Sequence, residues 1–198
     1  MSLLDEITKH LDGGALKQIS SAIGADEAKT AQAASAALPA LLGALARNSS
    51  QSGGAEAISS ALSKDHDGSV LDNLSSFLSN PGSGKGDGIL NHVLGGKRGR
   101  VESSVGKASG LDPQAVGGLM TMLAPIVMGS LGKAKRTQNL DASSLANLLG
   151  QERKTIESSS PAASGLMGQL LDADGDGDVD LSDMASKGMG MLGKMFGR

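Results

Sequence analysis

Cysteine, tyrosine and tryptophan are absent from this chain of 198 residues, and phenylalanine occurs only twice. Without cysteine there is no disulfide framework, thiolate zinc site or iron–sulfur cluster, and the redox compartment is left open. Without aromatic rings, base stacking, the common device of RNA and single-strand binders, has no material. β-Branched residues are sparse while Ala, Leu, Ser and Gly abound, which disfavours an all-β fold. Met1-Ser-Leu-Leu-Asp-Glu6 opens on acids rather than on a basic segment and an apolar run, so a cytoplasmic location is the expectation. The length allows one or two domains with a core that needs no covalent or metal staple.

Charge is unevenly placed. Residues 1–171 carry fifteen acids and fifteen bases. Six further acids crowd into 172–183, and the last fifteen residues hold three bases and no acid. A neutral body, an anionic loop and a small basic tail follow. The body lacks the electrostatic footprint of a nucleic-acid binder.

The chain repeats itself at an offset of 86. Gly24-Ala-Asp26 precedes Leu38-Pro39-Ala-Leu-Leu-Gly43-Ala-Leu45, and Gly110-Leu-Asp112 precedes Ala124-Pro125-Ile-Val-Met-Gly129-Ser-Leu131 at the same spacing. Ile19 matches Val105, and Leu62 matches Leu148. Such self-similarity fixes architecture before any local signal does. Pro113–Gly132 is uncharged over 20 residues, long enough to span a bilayer. Its twin, residues 30–46, carries Gln32 and Ser35 among alanines and is too polar to span. Both are therefore expected to be buried helices of a soluble domain.

Asp26 and Asp112 stand where N-caps belong, and Pro113 suits a first helical position. Pro39 and Pro125 each remove an amide donor and disfavour helix in the preceding residue. The expected pattern is helix 26–37, a break or kink, and helix 39–47, with further helices near 2–11, 14–23, 54–63, 69–79, 101–108, 141–149 and 162–171. Glycine-rich 80–88 reads as a linker, and Glu157-Ser-Ser-Ser-Pro161 as a softer boundary. The domain expectation is a first helical repeat at 1–80, a linker at 81–95, a second repeat at 96–157 and a C-terminal module at 158–198.

Gly24-Ala-Asp26, Ala37–Asn48, Gly53–Ala57, His66–Asp72 and Gly86–His92, in that order, resemble the bacterial domain of unknown function 937 over about residues 10–150. The resemblance implies a small helical domain and a bacterial source. It transfers no activity and no catalytic residue.

The clearest chemistry lies in Asp172-Ala-Asp174-Gly-Asp176-Gly177-Asp178-Val179-Asp180-Leu-Ser-Asp183. It resembles an EF-hand loop, and more closely the dockerin-like bacterial version ending in Asp. Ca²⁺ takes six to eight oxygens, and alternating carboxylates at positions 1, 3 and 5 supply them as the chain curls. Gly177 permits the turn, Asp178 would offer its carbonyl, Val179 would point inward, Asp180 would act through water, and Asp183 would close the shell. Asp183 is one methylene shorter than the usual Glu, so Mg²⁺ is also admitted. Six like charges in twelve residues repel, and a bound cation relieves that repulsion. Residues 162–171 and those from Asp180 onward read as the entering and exiting helices.

Weaker signals have blander readings. Ser63-Lys-Asp65-His-Asp67-Gly68-Ser-Val70 matches a few positions of such a loop but lacks acids at both ends, and reads as a capping turn. Gly82-Ser-Gly-Lys85-Gly86 lacks the spacing of a phosphate loop. His10, His66 and His92 have no partner at zinc-ligand spacing in sequence. Lys97-Arg98-Gly-Arg100 could form a basic face but reads as solvated charge. In the tail, Met184, Met191, Met195, Leu192 and Phe196 can share one helical stripe, and four glycines weaken that helix. Packing of this tail onto the body is favoured over contact with an anionic membrane surface through residues 184–198.

The sequence thus points to an all-α protein, a duplicated helical unit followed by one EF-hand-like module. Its expected role is non-catalytic Ca²⁺ binding with a protein partner or self-association. A membrane-surface or nucleic-acid adaptor, and an enzyme with an unrecognised site, are the alternatives.

Overall fold

The computed structural model describes residues 2–11, 14–80 and 85–159, and within them the chain is all-α. Ten helices follow in order: α1 (Leu3–His10), α2 (Gly14–Ile23), α3 (Glu27–Ser49), α4 (Gly54–Lys64), α5 (Ser69–Asp72), α6 (Leu74–Ser79), α7 (Lys85–Leu94), α8 (Arg98–Ser109), α9 (Pro113–Thr137) and α10 (Ala142–Ser159). A 3-10 turn at Gly95–Lys97 joins α7 to α8.

Helix starts follow local chemistry. Ser2 and Asp5 form a capping box on α1, each side chain accepting the other's backbone amide at 3.1 Å. Asp26 accepts the amides of Ala28 and Lys29, and Asp112 those of Gln114 and Ala115, all at 2.9–3.1 Å. Glu152, buried on α10, accepts the Leu3 amide at 2.7 Å, so one more orphan donor of α1 is satisfied from across the fold.

The prolines do not break their helices. α3 runs through Pro39 and α9 through Pro125 as single helices, so the expected division into helices 26–37 and 39–47 does not occur. A proline inside a helix costs about 3 kcal/mol. Leu38, Leu41, Leu42 and Leu45 of α3 are all buried, and each contributes roughly 1.5–3 kcal/mol by burial. Any two of them offset the proline, so packing overrides the local preference. α9 has the same solution, with Leu119, Leu123, Ile126 and Leu131 buried around Pro125.

Other boundaries moved for similar reasons. Residues 85–94, expected within a linker, form α7, because Leu90, Val93 and Leu94 are buried in the core. α10 extends past 149 to Ser159 to bury Ile156. The helix expected at 69–79 divides at Asn73 into α5 and α6. The helix expected at 162–171 lies outside the described residues.

α3 and α9 pack on each other at the centre. α8 and α10 lie against α3, α7 against both central helices, and α1 and α5 against α9. One continuous apolar core joins the regions expected as two repeats. Among the described residues α9 alone is long and apolar enough to cross a membrane, and its most apolar 18-residue window is 83% buried inside the protein.

Candidate functional site

Two helix faces look at each other across a groove. α4 presents Gly54, Ala57, Ile58, Ala61 and, at its C-cap, Asp65. α7 presents Lys85, Gly88, Ile89, His92 and Val93. Both sets recur at three- and four-residue intervals, which places each on one side of its helix. Leu45 and Met128, from the two central helices, are part of the lining beneath. The space measures about 600 Å³.

At one end the groove meets a smaller cavity of about 170 Å³, and Asp65, His66 and Lys85 line both. Asp67, Gly68, Ser69, Val70, Phe77, Gly86 and Pro125 complete the smaller one. At the other end Asn48 donates its side-chain amide to the carbonyls of Val93 at 3.0 Å and His92 at 3.4 Å, tying the end of α7 to the end of α3.

The loop at 66–70 is seated on glycines of α9. A Cβ on Gly132 would fall on the His66 carbonyl, and one on Gly129 would meet Val70. No side chain fits at Gly132, where α9 approaches the His66–Asp67 backbone directly, and the Val70 side chain fills the space over Gly129. Asp67 accepts the Ser69 amide at 3.0 Å and stands 3.9 Å from Arg136. The Ser69 hydrogen bonds, helped by Arg136, hold its carboxyl below the usual range. The 63–70 segment fits the expected capping turn: Asp65 is the C-cap of α4, Gly68 is the N-cap of α5, and Asp67 just before it accepts the Ser69 amide.

His66 is half-buried. Burial is the main cause that pushes its pKa below the ordinary value of 6.5; Lys85 adds to this and Asp65 opposes it. Neutral imidazole is thus the form that fits the folded site. Because the folded state binds the proton less readily than the unfolded chain, stability is retained above pH 6.5 and lost as pH falls below it. We expect urea midpoints to drop between about pH 7 and about pH 5.5, and the drop to be smaller in His66→Asn. Equal drops in both proteins would contradict the assignment.

The basic stretch 97–100 is partly committed. Arg98 meets Asp87 and Glu102 at 2.7 Å each and donates to Asn91 at 3.1 Å, bracing α8 against α7. Arg98 holds the Asp87 carboxyl low, chiefly through this hydrogen bond.

The residues expected to ligate a cation, Asp172, Asp174, Asp176, Asp178, Asp180 and Asp183, and the Met-rich tail, lie outside the described residues. Among the described residues no three His, Asp or Glu side chains converge on a metal position. His66 and His92, far apart in sequence, line the same groove, whereas His10 lies on α1. Sequence reading missed α7, and with it Lys85 and the groove. The signal was present in Gly88-Ile-Leu-Asn-His-Val-Leu94, whose apolar spacing is helical, but the glycines before it pointed to a loop.

This is an all-helical domain built on two buried central helices, with a lateral apolar groove ending in a charged pocket. A family model described as bacterial protein of unknown function, DUF937, matches residues 5–134, and the chain belongs to that family. No curated protein and no solved structure matches the chain.

Proposed function

We propose that this protein is a non-catalytic calcium-binding protein with a structural or interaction role, whose 172–183 loop takes one cation. The observation that carries this reading is the spacing of six carboxylates around Gly177 in Asp172–Asp183. Ca²⁺, or Mg²⁺ where calcium is scarce, offsets their mutual repulsion and fixes the angle between residues 162–171 and the tail. The neutral helical body serves as the platform, in the cytoplasm, for a protein partner or a second copy of the chain. Titration calorimetry of the metal-stripped chain tests this. The expected result is about one Ca²⁺ per chain at micromolar affinity or tighter, lost in Asp172→Ala/Asp176→Ala. Absence of binding at millimolar metal would refute it.

The body itself reads as a duplication. At the offset of 86, α2, α3 and α4 correspond to α8, α9 and α10. Gly24 and Gly110 both take positive φ, at 66° and 70°, before the Asp caps of the central helices. The packing partners also exchange. α2 meets α3 and α9, as α8 meets α9 and α3, while α4 meets α9 as α10 meets α3. This pattern supports two copies related by an approximate two-fold exchange.

The adaptor alternative draws on the three bases of residues 184–198 and on Lys97–Arg100. Its weak point is Arg98, whose guanidinium is already occupied by two carboxylates. The enzyme alternative draws on His66 and His92 sharing one groove.

A further inference from the structure

We propose that the α4–α7 groove binds a single-chain amphiphile with a carboxylate head, its chain lying along Ile58, Ala61, Ile89 and Val93 and its head at Lys85 and His66. Three features of the site argue for this.

The first is shape. A volume of about 600 Å³ is ordinary for a small-molecule site. The α4 wall runs from Gly54 to Asp65, or about 16 Å at 1.5 Å per residue. A peptide helix of that length and ~10 Å diameter would occupy roughly 1,200 Å³ and stand largely outside the groove. An extended alkyl chain fits within it.

The second is polarity. Leu45, Ile58, Ile89, Val93 and Met128 make the body of the groove apolar. Ionisable groups gather where the groove meets the small cavity, Asp65, His66 and Lys85 lining both and Asp67 lining the small cavity, while Asn48, Gln51 and His92 add polar side chains elsewhere along the groove. A ligand that is apolar along its length and charged at one end matches that distribution.

The third is the state of those charges. Lys85 pairs only loosely with Asp65, at 3.5 Å with both side chains more than half exposed. Such a pair is worth about 0–1 kcal/mol, so breaking it to free Lys85 for another carboxylate costs little, the exposed Asp65 side chain turning to solvent. Asp67 is already held by Ser69 and Arg136 and does not compete for Lys85. The His66 ring makes no hydrogen bond among the described residues, and its N–H is a second donor for the head.

The test uses the full-length chain in EDTA, so that any cation at the acidic loop plays no part. Dodecanoate, below its micelle concentration, is titrated by calorimetry and by NMR of the histidine rings. The expected result is one saturable site with His66 and His92 signals moving and His10 unmoved. Lys85→Gln is expected to weaken binding at least about tenfold, Lys85→Arg to retain it, and uncharged dodecanol to bind more weakly than dodecanoate. Ile58→Asn, on the opposite wall, is expected to weaken both ligands. Circular dichroism checks that each variant remains helical. No saturable binding, equal affinity in wild type and Lys85→Gln, or shifts confined to His10 would overturn the proposal. Binding seen only when the tail carries Met191→Asp/Met195→Asp would also overturn it, since the groove would then belong to the chain's own tail.

Discussion

Truncating Leu123 to Ala is expected to lower the unfolding free energy by about 2–5 kcal/mol. Leu123 sits two residues before Pro125 on the central helix α9 and is 0% exposed. Its core neighbours on that helix, Met120, Leu119 and Ile126, are equally inaccessible. α9 is hemmed in by α3, α7 and α8, so little can collapse into the space left behind. A domain of this kind has only about 5–15 kcal/mol to lose. Urea denaturation should show a lower midpoint with an unchanged slope. A loss below about 1 kcal/mol would mean that the centre is not close-packed as described.

Gly132→Ala is expected to destabilise by about 1–3 kcal/mol or more, although helix propensity alone favours the change by about 1 kcal/mol. The added methyl falls on the His66 carbonyl. α9 is buried and cannot retreat, so the loop at 66–70 must lift. That movement shifts His66 and widens the charged end of the groove. Gly88→Ala provides the contrast, since nothing stands within 4 Å of its Cβ position and α7 should gain stability. Denaturation of both variants, with the His66 ring signal as a local reporter, checks the pair. Stabilisation of both would show that the close approach at Gly132 yields without cost.

Most of the helices were legible because their start signals are local. Asp26 and Asp112 cap where the sequence places caps, and α2 spans the expected residues 14–23. What misled was local chemistry outweighed by packing. Pro39 and Pro125 are helix breakers by their own geometry, yet buried leucines and isoleucines around them carry α3 and α9 through. Glycines 86 and 88 are poor helix residues, yet Leu90 and Leu94 anchor α7. The groove was illegible for a different reason. Its walls come from α4 and α7, about thirty residues apart, and its floor from two helices more than eighty apart. No spacing rule connects His66 to Lys85 or His92. The expected acidic loop differs in kind, because its carboxylate pattern is contained in twelve consecutive residues, all of them outside the described ones.

Amide hydrogen exchange across residues 160–198, with and without calcium, tests the central claim most directly. The account predicts that 172–183 and its flanks gain protection when Ca²⁺ is added, while α3 and α9 exchange as before. It also predicts that Asp172→Ala/Asp176→Ala abolishes the gain. Identical exchange of 172–183 in both conditions at millimolar calcium would contradict it.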